Sequence, residues 1–210
     1  MIRILIADDH AVVREGLRQI IAKQPDLVVG GEAASGADVL NKIRESSYNV
    51  VLLDLTMPGR SGLEILAEIR RENPDLRVLV LSVHPENLYA VRALKAGASG
   101  YLTKESAPEQ LVEAIRKVSC GGKYISPSLA ERLAFELESS SDRPPHEKLS
   151  DREYQVLCML ASGKTVKEIA EELSLSVPSI STYRARILEK MNMKNNAELA
   201  HYAIRNGLVD

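Results

Sequence analysis

The sequence has few cysteines, no excess of charge of either sign and no long apolar run. Its only cysteines, Cys120 and Cys158, lie in different regions, so they indicate neither a disulfide framework nor a cysteine metal cluster. No apolar stretch reaches the roughly 18 residues that a membrane-spanning helix needs. The formal net charge of −2 argues against a uniformly basic nucleic-acid-binding protein, but a local basic face can be hidden in that total.

The N-terminal residues begin directly with an apolar run and lack the layout of a signal peptide. We therefore expect a cytoplasmic protein with no membrane segment and with both thiols reduced. The 210 residues suffice for two domains, because a domain usually has about 100–150 residues.

Apolar runs and helical spacings alternate along the first part of the chain. Five apolar runs predict strands at residues 2–7, 27–29, 50–53, 78–81 and 100–102. Gly30 and Gly31 break the pattern after the second run. Because the runs are continuous rather than alternating, the strands should be buried on both faces. We predict an α/β domain over residues 1–122, with a doubly wound five-stranded parallel sheet.

The second part of the chain has only helical patterns. Residues 128–138 have helical spacing, and residues 139–145 form a Ser/Pro stretch typical of an interdomain linker. From Leu149 onward we predict four short helices, the first beginning at Ser150 with Glu153 three positions later. A tight turn at residues 173–176 favours a helix-turn-helix. The predicted division is therefore 1–122, a partly helical linker 123–148, and a small all-α domain 149–210.

Polar side chains follow four of the predicted strands. Asp8 and Asp9 follow the first strand, Asp54 the third, Ser82 the fourth and Lys104 the fifth. The carboxyl ends of parallel strands meet at one edge, so we expect these side chains around one pocket. Clustered carboxylates repel one another, and hard oxygen ligands suit Mg²⁺. With Lys104 to neutralise charge and Ser82 to donate a hydrogen bond, the set predicts phosphoryl transfer to Asp54.

Each of these residues has an ordinary alternative explanation when it is taken alone. An aspartate after a strand often caps the next helix, and a lysine there is usually a solvated charge. The combination, with each residue at the end of a different strand, is much more specific.

Residues 1–122 resemble the flavodoxin-like receiver domain of bacterial two-component response regulators. The motifs that carry the resemblance are Asp8-Asp9, Asp54-Leu55-Thr56-Met57-Pro58-Gly59, Leu81-Ser82 and Gly97-Ala98-Ser99-Gly100-Tyr101-Leu102-Thr103-Lys104. One departure is Glu105, which stands where many receivers have proline.

The resemblance implies a phosphorylation switch. A sensor histidine kinase would phosphorylate Asp54, and Asp9, Asp54 and the carbonyl of Thr56 would hold Mg²⁺ with help from Asp8. Ser82 would move toward the phosphoryl group, and Tyr101 would change its packing. Such a receiver catalyses its own phosphorylation and slow hydrolysis, so no turnover of an external substrate is expected.

Residues 149–208 resemble the DNA-binding domain of LuxR/NarL/FixJ-type regulators. The matching residues are Leu149-Ser150-Asp151-Arg152-Glu153, Gly163, Glu168-Ile169-Ala170, Leu173-Ser174-Leu175-Ser176, Tyr183 and Lys190-Met191. The resemblance implies binding to double-stranded DNA. It also implies that the last helix, with Leu199, Tyr202 and Ala203, pairs two such domains in a homodimer. Packing of these residues within a single domain is the alternative.

The recognition helix should lie between Ser176 and Met191, with polar residues along one face. The candidate DNA contacts are Ser179, Ser181, Thr182, Arg184, Ala185, Arg186 and Lys190. Hydroxyls can meet base edges and arginines can bind phosphate or guanine, although a solvated helix face is the alternative. Residues 173–205 contain five basic and two acidic residues, a net charge of +3. Pro178 and Ser179 replace the basic residue and threonine more common in the family, so no target site is assigned.

The leading hypothesis is a transcription regulator in which phosphorylation of Asp54 controls dimerisation and sequence-specific DNA binding. An enzyme with an aspartyl nucleophile is an alternative, but that class normally has a second aspartate where this chain has Thr56. An adaptor whose helical domain binds a protein partner is a third possibility.

Overall fold

A computed structural model of the protein describes residues 1–83, 86–138 and 144–209. The chain divides into two compact units, Met1–Leu133 and Ala134–Asp210. The strands of the first unit are β1 (Ile2–Ala7), β2 (Leu27–Ala33), β3 (Val50–Asp54), β4 (Arg77–Ser82) and β5 (Gly100–Thr103). The helices that alternate with them are α1 (Ala11–Ala22), α2 (Gly36–Glu45), α3 (Gly62–Glu72), α4 (Glu86–Lys95) and α5 (Ala107–Ser119). Helix α6 (Pro127–Glu138) begins in this unit and continues into the second.

The five strands form one parallel sheet in the order β2-β1-β3-β4-β5, which confirms the predicted fold. β3 is the central strand, and all five of its residues are buried. The strand order reverses direction between β1 and β3, and open α/β sheets bind their ligands outside the carboxyl ends at such a switch point. Asp54 is the last residue of β3, so the topology brings it to this position.

The core on one face of the sheet is built by alternate strand residues and two helices. Side chains of β1, β3 and β4 pack there against the apolar sides of α1 and α5. The main members are Ile4, Ile6, Val50, Leu52, Leu79, Leu81, Leu17, Ile21, Leu111 and Ile115. These buried residues explain the continuous apolar runs of the sequence, because each strand contributes side chains to both faces.

The second strand is longer than the sequence predicted. β2 continues through Gly30 and Gly31 to Ala33, with a register shift opposite Ile4 and Leu5. A Cβ on Gly30 would lie 2.5 Å from the side chain of Arg3, and one on Gly31 would lie 2.6 Å from the Tyr48 hydroxyl. The two glycines therefore do not end the strand; they leave room for side chains that cross it.

The chain segment after α5 pairs with the open edge of β5. Tyr124 forms a parallel bridge with Gly100, its N–H donates to Ser99 O at 2.9 Å, and its carbonyl accepts from Tyr101 N at 3.2 Å. A Cβ on Gly100 would lie 2.6 Å from the Tyr124 carbonyl oxygen, so this approach requires glycine. Tyr124, which the sequence analysis placed in the linker segment, therefore pairs with the edge of the sheet in the structure.

The second unit is helical throughout its described part. A 3-10 turn at Pro145–Lys148 precedes α7 (Asp151–Ala161), α8 (Val166–Glu172), α9 (Val177–Met191) and α10 (Asn196–Arg205). The predicted turn between α8 and α9 contains Ser174 in the left-handed region, at φ 52°. α10 begins at Asn196, because the Asn195 side chain caps it by accepting a hydrogen bond from Glu198 N at 3.0 Å. Residues 139–143 of the predicted linker lie outside the described residues.

No helix of the described residues is long and apolar enough to cross a membrane.

Gly100 provides a test of the edge pairing. We expect Gly100→Ala to lower the free energy of unfolding of the first unit by about 1–3 kcal/mol, because the new Cβ would overlap the Tyr124 carbonyl. Gly16→Ala is the matched control: Gly16 lies in α1, and a Cβ at this position would have no atom within 4 Å, so alanine should stabilise by about 0.5–1 kcal/mol. Native-state hydrogen exchange of the β4 and β5 amides measures both effects. Equal effects of the two substitutions would contradict this interpretation.

Candidate functional site

A lysine ammonium group bridges two buried carboxylates at the carboxyl edge of the sheet. Lys104 Nζ lies 2.6 Å from Asp8 Oδ2 and 2.8 Å from Asp54 Oδ2. Asp8 and Asp54 are each only 1% exposed. A buried charge is tolerated when it is paired and hydrogen-bonded, so this lysine is what allows two carboxylates to share the pocket.

The parallel register explains how distant residues meet here. Ser82 pairs with Thr103 across β4 and β5, and the next N–H, that of Lys104, donates to Ser82 O at 2.8 Å. A backbone N–H also holds the second oxygen of Asp54, since Thr56 N donates to Asp54 Oδ1 at 3.1 Å. The predicted pocket residues of strands β1, β3, β4 and β5 thus lie at one edge of the sheet.

Burial and pairing act in opposite directions on the ionisation of this pocket. Burial raises the pKa of Asp54, the Lys104 ammonium opposes that shift, and the nearby charge of Asp8 adds to it. Burial by itself lowers the pKa of Lys104, but its two carboxylate partners outweigh that effect and the pKa is raised. Lys104 is therefore a cation at neutral pH, and one cation faces two carboxylates.

An acidic cluster surrounds this pair. Asp8, Asp9, His10 and Asp54 each offer one ligand atom, and these atoms lie within 4.8 Å of one another. The carboxylate oxygens are compatible with Mg²⁺, which prefers hard oxygen ligands. Asp9 is only partly buried, which leaves the cluster open on one side.

The sequence analysis did not single out His10 as a member of this cluster. His10 Nδ1 lies 2.9 Å from Asp9 Oδ1 and 3.2 Å from Asp8 Oδ1. Its position directly after the two aspartates was the only signal for it. Imidazole suits transition metals better than Mg²⁺, so the oxygen ligands carry the magnesium argument.

The predicted switch residues Ser82 and Tyr101 are both buried, at 0% and 1% exposure. The Tyr101 phenol forms a hydrogen bond with the Ser82 side chain. Burial raises the pKa of Tyr101, the Ser82 hydrogen bond opposes this, and the carboxylates of Glu86 and Asp54 add to the rise. The phenol is therefore neutral, and it ties the Ser82 side chain to a large residue of β5.

Helix α9, the predicted recognition helix, exposes its predicted contact residues to different degrees. Five of the seven are exposed, and these are Ser181, Thr182, Ala185, Arg186 and Lys190. Ser179 lies beside the helix cap, with its hydroxyl 2.8 Å from Ser176 Oγ. Arg184 is half-buried, and its Nε donates to Asn196 Oδ1 of α10 at 2.6 Å. Arg186 is therefore the arginine of this face that extends into solvent.

Lys190 contacts helix α7 of the same unit. Its Nζ lies 2.6 Å from Glu153 Oε2, and the Glu153 side chain is only 3% exposed. The same carboxylate oxygen accepts from Ser150 N at 2.8 Å, which completes a capping box at the start of α7. Burial alone raises the pKa of Glu153, but the hydrogen bonds from Lys190 and Ser150 outweigh it and lower the pKa. The sequence identified this cap but not its lysine partner.

Helix α10 buries two of the three residues considered for pairing domains. Leu199 and Ala203 are fully buried inside the unit. Tyr202 is half-buried, and its hydroxyl is 2.8 Å from Nδ1 of His146. The large apolar side chain exposed on this helix is Ile204, at 58%. Packing within the domain therefore accounts for Leu199 and Ala203.

The charge balance of the pocket predicts the effect of removing its cation. We expect Lys104→Met to lower the free energy of unfolding of the first unit by about 3 kcal/mol at neutral pH, because the buried carboxylates of Asp8 and Asp54 would lose the cation that they share. Lys42→Met is the control, since it breaks only a half-exposed 3.7 Å pair with Asp38 and should change stability by less than about 0.5 kcal/mol. Urea unfolding of the two variants and wild type makes the comparison. A loss for Lys104→Met as small as that of the control would contradict the assigned role.

Both units match known protein families. Residues 4–116 match the response regulator receiver domain, and residues 147–203 match the bacterial regulatory proteins of the luxR family. Response regulator UvrY of Escherichia coli K12 is 40% identical over 209 residues, which cover 99% of this chain and 96% of UvrY. Response regulator GacA of Pseudomonas protegens is 41% identical over 210 residues, which cover 100% of this chain and 99% of GacA.

Solved structures show the same architecture. RcsB from Salmonella enterica serovar Typhimurium, bound to promoter rprA with the phosphomimetic BeF₃⁻, is 26% identical with a TM-score of 0.64. That match covers 96% of this chain and 98% of the RcsB chain. A LuxR-family two-component response regulator from Aurantimonas is 39% identical with a TM-score of 0.60, over 65% of this chain and 98% of that one. The chain therefore belongs to the two-component response regulators with a LuxR-type helix-turn-helix domain, a family of transcription regulators rather than conventional enzymes.

Proposed function

We propose that a sensor histidine kinase phosphorylates Asp54 in the cytoplasm and that this modification controls dimerisation and sequence-specific binding to double-stranded DNA. The observation that carries the proposal is the Asp54 carboxylate beside Lys104, on a sheet edge that also holds the Ser82–Tyr101 pair. The recognition helix of the second unit supplies an exposed output surface. We retain the division into a receiver (1–122), a linker segment (123–148) and a DNA-binding domain (149–210).

The residues of the pocket suit phosphoryl transfer to a carboxylate. An Asp54 oxygen would form the new P–O bond as the bond from phosphorus to the kinase histidine breaks. Thr56 N holds one Asp54 oxygen, and Lys104 holds the other. Lys104 can stay with the transferred group and offset its charge.

A divalent cation fits the acidic side of this pocket. Asp8, Asp9, Asp54 and the carbonyl of Thr56 would hold Mg²⁺, which supplies charge neutralisation at the phosphoryl oxygens. The side-chain hydroxyl of Thr56 is buried and has no hydrogen-bond partner among the described residues, so a polar group is available beside the carboxylates. The same pocket would promote slow hydrolysis of the phosphoaspartate, which returns the receiver to its resting state without turnover of an external substrate.

Transfer of the phosphoryl group also disturbs the Ser82–Tyr101 pair. A phosphoryl oxygen is a stronger acceptor than a phenol, so the Ser82 hydroxyl would turn toward it. Tyr101 would then lose a buried partner, which is costly for a hydroxyl that cannot reach water. The modification therefore biases the packing of β5 toward a second arrangement.

Labelling identifies the acceptor. We expect Asp54→Asn to abolish incorporation of phosphate from a small phosphodonor such as acetyl phosphate, because the amide is not a nucleophile. Asp38→Asn, at a partly exposed carboxylate of α2, should leave labelling unchanged. Removal of Mg²⁺ with a chelator should abolish labelling of wild type. Undiminished label on Asp54→Asn would reject Asp54 as the acceptor, and label in the chelated sample would reject the metal requirement.

Substitutions of two basic residues of α9 should have different effects, one on DNA binding and the other on stability. We expect Arg186→Ala to weaken binding to duplex DNA about tenfold and to reduce the salt dependence by about one counterion, because its charge is exposed and available for phosphate. Its unfolding free energy should not change. Lys190→Met should lower the stability of the second unit, because it leaves Glu153 without its cation.

Lys148→Ala is the control for both measurements, since Lys148 is exposed in the 3-10 turn before α7. Fluorescence anisotropy at several salt concentrations and thermal unfolding give the two quantities. If Arg186→Ala binds DNA with the same affinity and salt slope as Lys148→Ala, the proposed DNA-binding face is wrong.

A further inference from the structure

One serine connects the start of helix α6 to helix α4. Ser126 Oγ accepts a hydrogen bond from Leu129 N at 3.1 Å, as a helix cap does, and it donates to Glu86 Oε2 at 2.5 Å. Glu86 is the first residue of α4, and Leu129 is buried at 1% exposure. The hydroxyl of Ser128 lies 2.9 Å from the same Ser126 oxygen. α6 therefore begins at a point that is tied to the receiver by a charged hydrogen bond.

The same segment is bonded to the residue that contacts Ser82. Tyr124, two positions before Ser126, accepts from Tyr101 N at 3.2 Å and donates to Ser99 O at 2.9 Å. The side chain of Tyr101 bonds to Ser82, and the Glu86 carboxylate is close enough to contribute to the raised pKa of Tyr101. Tyr101 thus contacts the phosphorylation pocket through its phenol and the α6 segment through its backbone.

We propose that the Glu86–Ser126 hydrogen bond is a latch that holds the start of α6 in the resting receiver and opens when Ser82 turns from Tyr101 toward a phosphoryl group on Asp54. This inference rests on the proposed function, because it requires a modified Asp54. α6 continues past Leu133 into the second unit, so the latched turn lies on the chain segment that leads to the DNA-binding domain.

The direction of the effect follows from the state that the latch stabilises. A contact made only in the resting state lowers the free energy of that state, so its loss shifts the equilibrium toward the active state. A hydrogen bond to a charged group is among the stronger ones, although solvent near Glu86 reduces its strength. Removing the latch should therefore imitate part of the effect of phosphorylation.

Hydrogen exchange on the full-length protein tests the latch directly. We expect beryllofluoride with Mg²⁺ to accelerate exchange of the amides of residues 126–131 in wild type. Glu86→Ala should show the faster exchange without beryllofluoride. Glu109→Ala is the matched control, since it removes another first-turn glutamate, an exposed one on α5, and should leave exchange of α6 unchanged. Unchanged exchange in Glu86→Ala, or in wild type with beryllofluoride, would overturn the latch.

A substitution at Ser126 separates capping from latching. Ser126→Asp keeps a side-chain acceptor for Leu129 N, but it places a carboxylate against Glu86. We expect it to behave like Glu86→Ala, whereas a simple capping role predicts wild-type exchange. Glu86→Gln retains an acceptor for Ser126, so its α6 amides should exchange more slowly than those of Glu86→Ala. If the α6 amides exchange slowly in Ser126→Asp and rapidly in Glu86→Gln, Ser126 acts only as a helix cap and the latch is rejected.

DNA binding distinguishes failure of the latch from failure of the proposed function. We expect Glu86→Ala to raise DNA affinity without beryllofluoride about three- to tenfold and to leave the affinity with beryllofluoride nearly unchanged. If wild type binds DNA equally with and without beryllofluoride while α6 exchange responds, the proposed control of DNA binding fails and the latch stands. If wild type responds but Glu86→Ala matches it in both assays, the latch fails and the proposed function stands.

Discussion

The bridge from Lys104 to Asp8 and Asp54 is the interaction on which the first unit depends. Two carboxylates at the end of a buried sheet repel each other, and burial penalises the charge on each. A single ammonium group within hydrogen-bond distance of both makes the arrangement possible. The same bridge places a cation beside the Asp54 carboxylate, where the proposed phosphoryl transfer would need charge neutralisation.

The few residues of the edge strand β5 make three separate sets of contacts. Its backbone pairs with β4, the phenol of Tyr101 bonds to Ser82, and the other edge accepts the chain after α5. Only glycine at position 100 allows that last contact, since any Cβ there would overlap the Tyr124 carbonyl. Tyr101 therefore has hydrogen-bond partners on both sides of the strand. The proposed latch depends on this series of contacts between the Asp54 pocket and the beginning of α6.

The basic residues of α9 differ in their surroundings. Arg184 bonds to Asn196 at the start of α10, and Lys190 bonds to Glu153 at the start of α7. Both contacts fix α9 against neighbouring helices, which is what a recognition helix needs in order to present a rigid face. Arg186 extends into solvent instead. A count of charges along α9 does not distinguish these residues, although within the described part of the chain two of them bond to neighbouring helices and Arg186 does not.

The sequence by itself determined the alternation of strands and helices, the parallel sheet and the meeting of Asp8, Asp54, Ser82 and Lys104. Those conclusions depend on apolar periodicity and on the rule that parallel strands end at one edge, and both are local or topological. The continuation of β2 through Gly30, the pairing of Tyr124 with β5 and the partners of Lys190 and Ser126 were decided only by tertiary structure. Each of these depends on which side chain or backbone group approaches from a distant part of the chain. Spacing along the sequence does not record such an approach, because hydrogen bonds and steric room are properties of positions in space.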